Sequence, residues 1–226
     1  MCDQVRGYEM ADQLIFYTHP MSRGRIVRWM LEEIGQPYRT ELLDYDTTMK
    51  AAAYLAINPM GKVPAIRHGA VVVTEAAAIC AYLADAFPEA RLAPPAGDRL
   101  RGPYYRWLFF AAGPVEAAWT NKAMGFVVPQ GRERMMGYGR FEDVMNALEG
   151  AVSQREYLVG DSFTAADVYV GSGIGFGMQF GTIDKRSAFV QYWGRISARP
   201  AALRAKEIDD ALAAEMAQPS APPEQT

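Results

Sequence analysis

From Leu14 the apolar residues run unbroken through Ile15, Phe16 and Tyr17 and stop at Thr18-His19-Pro20, the pattern of a short strand buried on both faces. From Arg23 the spacing turns helical, with Ile26, Val27, Met30, Leu31 and Ile34 on one stripe, closed by Gly35 with Pro37 beyond. Tyr38 to Leu43 alternates as a second strand, and strand, helix, strand predicts a parallel pair. Asp46 to Ala56 is helix-compatible, and Asn58-Pro59-Met60-Gly61 is a loop. Val63 to Arg67 and Val71 to Val73, joined by a tight turn at His68-Gly69, predict a hairpin. Ala76 to Ala86 predicts an alanine-rich helix that ends before Pro88. The order β-α-β-α-β-β-α suits a mixed four-stranded sheet flanked by helices.

Glu89 to Asp98, with Pro94, Pro95 and Gly97, is the one stretch that reads as a linker. Beyond it the periodicity is helical throughout. Leu100 to Ala112 is rich in aromatics and should be kinked or interrupted at Gly113-Pro114. Further helices are predicted over Arg132–Ser153, Ala165–Phe180 and Ala188–Ser197, and a last one from Pro200. The chain therefore divides into an α/β domain at 11–88 and an all-α domain at 97–216. Residues 1–10 and 217–226 are expected to be flexible termini, and Met10 is a candidate second start.

Composition narrows the function classes. A formal net charge of −3 gives no basic footprint, so neither nucleic acid nor a membrane surface is an expected partner. Only Cys2 and Cys80 occur, and only His19 and His68, so a disulfide framework or a metal centre is not expected. No secretory signal or membrane-length run is read, which predicts a cytoplasmic location.

Four segments, taken together, carry a family likeness: Phe16-Tyr17-Thr18-His19-Pro20-Met21-Ser22-Arg23; Asn58-Pro59-Met60-Gly61-Lys62-Val63-Pro64-Ala65-Ile66; Thr74-Glu75-Ala76-Ala77-Ala78-Ile79; and Gly160-Asp161-Ser162-Phe163-Thr164-Ala165-Ala166-Asp167-Val168. In this order they resemble the cytosolic glutathione transferases, of the serine- and cysteine-type found in bacteria. The resemblance implies a thioredoxin-like glutathione site in the first domain and a helical second domain that completes a pocket for a small apolar electrophile. It also implies a homodimer, and no cofactor besides glutathione as co-substrate.

The resemblance also assigns roles. A cis Val63–Pro64 bond would present the Val63 backbone to the cysteinyl part of glutathione, as in strand addition. Lys62 would meet a glutathione carboxylate as a point charge. The Ala76 amide, at a helix start, would hold the γ-glutamyl carboxylate, with Glu75 facing the α-amino group. Many relatives carry Ser or Thr where this chain has Ala76, so one hydrogen bond is forgone, worth about 0.5–1.5 kcal/mol. Ser22 is the expected activator of the glutathione thiol and Tyr17 its rival. Ser22 also reads as an ordinary N-cap, and Tyr17 as an ordinary core residue. The Arg23-Gly24-Arg25 run, similar to tyrosine-type relatives, leaves the choice open. No cysteine lies near Ser22, which disfavours disulfide-exchange chemistry there.

Two features are read as structural, and a third is left divided. Thr164-Ala165-Ala166-Asp167 resembles a capping box. Gly171, Gly173, Gly175 and Gly177 lack the strand and Lys-Ser/Thr ending of a phosphate loop and predict close packing of a central helix. Tyr104, Tyr105, Trp107, Phe109 and Phe110 are expected to divide between core and pocket. Two rivals to transferase chemistry remain on the sequence: a non-catalytic ligand-binding protein, and a glutathione-dependent isomerase, peroxidase or dehalogenase.

Overall fold

The computed structural model describes residues 13–217; Cys2, Met10 and most of the two expected flexible termini lie outside the described residues. Strands β1 (Leu14–Thr18), β2 (Arg39–Leu42), β3 (Ala65–His68) and β4 (Val71–Thr74) form one sheet in the order β2-β1-β3-β4. β1 runs parallel to β2 and antiparallel to β3, and β3–β4 is the expected hairpin. As a central strand β1 is buried along its whole length, which is why its sequence is continuously apolar. Leu14 and Phe16 face the main core under α1 (Gly24–Ile34) and α3 (Ala76–Ala86). Ile15 and Tyr17 face a smaller core with Met49, Tyr54 and Ala65. This is the thioredoxin-like half that the resemblance implies.

Two expectations in this half need correction. Asp46–Ala56 is not one helix: it breaks into a 3₁₀ turn (Thr48–Lys50) and the single-turn α2 (Ala52–Leu55), with Ala51 extended between them. The Thr48 hydroxyl takes the Asp44 N–H at 2.7 Å, a side-chain bond that competes with helix formation. β3 starts at Ala65 instead of Val63, because Pro64 has no N–H to give a ladder.

The helical half comprises α4 (Arg101–Phe110), α5 (Glu116–Ala123), α6 (Phe141–Ser153), α7 (Ala165–Gln179), α8 (Ser187–Ser197) and α9 (Pro200–Met216). Gly113-Pro114 does not end the first of these; a π-helical turn over Ala111–Val115 absorbs the proline and the chain continues as α5, an element the sequence reading lacked. The helix expected from Arg132 begins only at Phe141, since Gly139 takes a left-handed φ of 67° just before it. The glycines of α7 admit neighbouring side chains. A Cβ on Gly171 would lie 2.1 Å from Ile196 Cδ1, and one on Gly175 would lie 2.7 Å from the Trp193 ring.

α9 packs along α1, and the facing charges are inverted along their length. Arg25 and Arg28 of α1 pair with Asp210 and Asp209, while Glu32 and Glu33 pair with Arg204 and Arg199. The Arg28–Asp209 pair is fully buried, with Arg28 also donating to Tyr38 and Thr40. Burial pushes the Asp209 carboxyl up and Arg28 only partly pulls it back. One apolar cluster runs unbroken from the sheet through α1 and α3 into α7 and α8.

Candidate active site

The turn from β1 into α1 carries Ser22. Its hydroxyl donates to the His19 carbonyl at 2.6 Å and accepts from the Gly24 N–H at 2.9 Å. The helix starts at Gly24, so Ser22 satisfies one of the free first-turn amides while remaining half-buried beside a cleft. Gly24 has to be glycine, because a Cβ there would fall 1.9 Å from Thr18 Oγ1.

The loop before β3 is held by side chains. Tyr54 and Asn58 both donate to the Lys62 carbonyl, at 2.7 and 2.8 Å, and Lys50 donates to the Gly61 carbonyl at 2.7 Å. The Val63–Pro64 peptide is cis. The Lys62 side chain is exposed and enters no ion pair among the described residues.

At the third corner Glu75 sits at φ 67° and ψ 118°, a conformation that costs a non-glycine residue of order 1–3 kcal/mol and clusters at functional sites. It turns the chain from β4 into α3 so that the Ala76 amide is the first of the helix, and its own side chain is exposed.

Between the halves lies a cleft of about 1090 Å³. Ser22, Lys62 and Val63 line it together with Tyr45 and Lys50, and the helical half contributes Phe176, Phe180 and Trp193. Pro64, Glu75 and Ala76 lie outside that lining, and Tyr17 is 8% exposed within the smaller core, its ring 5.7 Å from that of Tyr54. A second pocket of about 240 Å³, lined by Trp119, Tyr169 and Val115, shares Arg23, Phe176 and Phe180 with the cleft.

The charges around Ser22 are compensated. Arg23 pairs with Glu116, and Arg25 donates to the Pro20 carbonyl at 2.6 Å and to Asp210 at 2.7 Å. Lys206 and Arg25 together hold the Asp210 carboxyl below its ordinary value. Cys80, the one cysteine among the described residues, is buried, and burial pushes its thiol far up, so it offers no thiolate. No metal-ligand cluster occurs among the described residues.

The expected pocket aromatics are corrected here. Tyr104 and Trp107 are core, Tyr105 and Phe109 are exposed, and none of the five from Tyr104 to Phe110 lines either cavity. The helix reaches the smaller pocket only from the π-helical turn onward, through Ala111, Val115, Glu116 and Trp119. Tyr45, Trp29 and Trp193 were not singled out from sequence. Tyr45 lies in a polar loop, and the two tryptophans fall within predicted helices where nothing local marks them as lining a cleft.

The sequence model of the glutathione S-transferase N-terminal domain matches residues 21–86. The glutathione S-transferase-like protein tpcF of Aspergillus fumigatus is 34% identical over 155 residues, which is 62% of this chain and 68% of that protein. The chain belongs to the glutathione S-transferase family. Within the family it is also similar to the glutathione S-transferase GstA of Escherichia coli, 26% identical over 72% of this chain and 78% of the other. Among solved structures, a glutathione transferase of Methylococcus capsulatus aligns with a TM-score of 0.73 at 26% identity, covering 88% of this chain and 99% of that one. The transferase URE2P6 of Phanerochaete chrysosporium, in complex with oxidized glutathione, aligns with a TM-score of 0.75 at 26% identity, covering 90% and 99%. These neighbours carry the same succession of thioredoxin-like and helical halves. No helix among the described residues is long and apolar enough to cross a membrane.

Proposed function

We propose that this family member is an active glutathione transferase that binds glutathione against the α/β half, ionises its thiol with help from Ser22, and directs it at an apolar electrophile in the aromatic part of the cleft. The observation that carries the reading is the convergence of Ser22, Lys62 and Val63 on one cleft whose opposite wall is Phe176, Phe180 and Trp193. Val63 would pair its backbone with the cysteinyl residue beside the cis Pro64, and Lys62, in no ion pair among the described residues, would meet a carboxylate. The first amides of α3, at Ala76, would receive the γ-glutamyl carboxylate next to Glu75. In the reaction the sulfur lone pair forms a bond to an electron-poor carbon, and the thiol proton leaves to solvent. The displaced electron pair departs with the leaving group or settles on the substrate. Glutathione is the only co-substrate and no cofactor takes part, in a reducing cytoplasm.

Glutathione should stabilise the protein. A ligand that binds only the folded state contributes about 2.7 kcal/mol at 100 times its Kd. Melting with and without millimolar glutathione reads this, and an unmoved Tm would sink the site. One observation favours the carrier alternative: the Ser22 proton already rests on the His19 carbonyl. A carrier would gain stability from glutathione but leave the bound thiol unactivated.

The protein should also be a homodimer. Tyr105 and Phe109 are exposed on α4, and Val71 and Val72 are exposed on the edge strand β4. Sedimentation at micromolar concentration should give twice the 25.0 kDa chain mass; a monomer would refute this assembly.

A further inference from the structure

The turn that carries Ser22 is clamped by groups outside it. The Tyr45 hydroxyl donates to the Met21 carbonyl at 2.8 Å, across the gap between the β2–α2 connection and the β1–α1 turn. The Tyr45 ring lies against the His19 imidazole, with centroids 4.5 Å apart. His19 Nδ1 accepts the Met21 N–H at 3.1 Å, which fixes its neutral ring with the proton on Nε2. The His19 carbonyl in turn receives the Ser22 hydroxyl. Arg25 grips the same turn from α1 through the Pro20 carbonyl. Tyr45 thus holds the turn at two points beside Ser22: Met21 through its carbonyl and His19, which accepts the Ser22 hydroxyl, through its ring.

We infer that Tyr45 is a positioning residue for Ser22: with His19 it fixes the turn so that the seryl hydroxyl points at the sulfur of bound glutathione. The inference rests on the reading of Ser22 as thiol activator. A hydroxyl on a turn free to pivot would spend part of its time off the sulfur, and a displacement of about 1 Å is enough to lose most of a positioned contact. The phenol is not placed as the donor itself, because its proton is committed to the Met21 carbonyl. Burial also pushes the Tyr45 hydroxyl up, which keeps it protonated and donating.

Tyr45→Phe keeps the stack on His19 and removes only the bond to Met21. With glutathione bound, the thiol pKa is titrated by thiolate ultraviolet absorbance in four proteins: wild type, Tyr45→Phe, Ser22→Ala and the double variant. The expected result is a rise of about half to one unit in Tyr45→Phe, with a roughly three- to tenfold loss of turnover at neutral pH that recovers at alkaline pH. In the Ser22→Ala background the same change should add nothing, because Tyr45 then has no hydroxyl left to aim. An equal rise in both backgrounds would show Tyr45 acting on glutathione directly and would overturn the inference, as would no rise in the wild-type background. If Ser22→Ala itself leaves the thiol unmoved, the activator reading falls first, and the positioning role with it.

Discussion

Ser22→Ala is expected to raise the pKa of the bound glutathione thiol by about one to two units, since a hydrogen bond to a charged group is worth roughly 1.5–3 kcal/mol. A free thiol with a pKa of about 8.5 is mostly protonated at neutral pH, so turnover with an aryl halide should fall by about 10- to 100-fold. It should recover in part at alkaline pH, where the thiol ionises unaided. Ser22 serves two local partners, and this fixes what the variant does besides. Loss of the bond from the Gly24 N–H removes a cap-like interaction and should cost about 1 kcal/mol of stability. For Ser22 to activate the thiol, the proton now given to the His19 carbonyl would swing to the sulfur of bound glutathione, while the Gly24 N–H would stay on the oxygen and strengthen it as a donor. A variant that loses stability but keeps both its activity and its thiol pKa would leave Ser22 as a cap alone. If Tyr17→Phe raised the pKa instead, the activator would have to be Tyr17, moved out of the smaller core that now buries it.

The largest effect on stability should come from Asp167→Ala. Asp167 is fully buried at the start of α7 and accepts from four donors: the Leu158 and Thr164 amides, each at 2.9 Å, the Thr164 hydroxyl at 3.1 Å and the Tyr192 hydroxyl at 2.8 Å. The box therefore ties together the loop before α7, the helix itself and α8. Truncation leaves these donors in a dry interior, each at about 1–3 kcal/mol, and their sum with partial relaxation is about 4 kcal/mol. In a chain of this size that lowers Tm by roughly 10 °C. Asp167→Asn keeps one acceptor but turns an amide N–H₂ towards donors, and should fall between the two. Thermal denaturation measures both; a drop under about 2 °C for alanine would mean the loop before α7 repacks freely.

Local patterns were legible in the sequence where contacts are local. Ala76–Ala86 appears at the expected bounds, and α1 ends at Gly35, whose φ is 67°. The capping box lies within four consecutive residues, and it forms. The candidate site was legible as a place in the fold as far as its motifs reached. Ser22 and Lys62-Val63 stand in short segments whose spacing is informative, and they meet at the cleft. What was missed depends on pairs that no window spans. Arg28 meets Asp209 across 181 positions, and nothing in either neighbourhood marks the partner. Tyr45 touches a turn 24 residues upstream from a connection that the sequence reading assigns to no element. Trp193 lines the cleft because Gly175 gives it room. The glycines announced close packing but not what would be packed. The aromatic helix misled for a different reason: its composition is that of a pocket wall, but the π-helical turn moves the lining one segment further along the chain.

The inverted charges between α1 and α9 bear on the order in which the protein is made. α1 is the first helix of the described residues and α9 the last, so the cleft wall carrying Ala205, Asp209 and Asp210 is made after every other described element. A nascent chain can form its sheet, α1 and α3 early, but Arg28 then sits on an apolar face with its carboxylate still unmade. The late docking of α9 joins parts of the described chain far apart in sequence, which chain entropy slows. The charge order helps to direct that step: a helix laid down in the reverse sense would set Arg199 and Arg204 against Arg25 and Arg28, and Asp209 and Asp210 against Glu32 and Glu33. Wrong closure is thereby penalised while the chain is still searching.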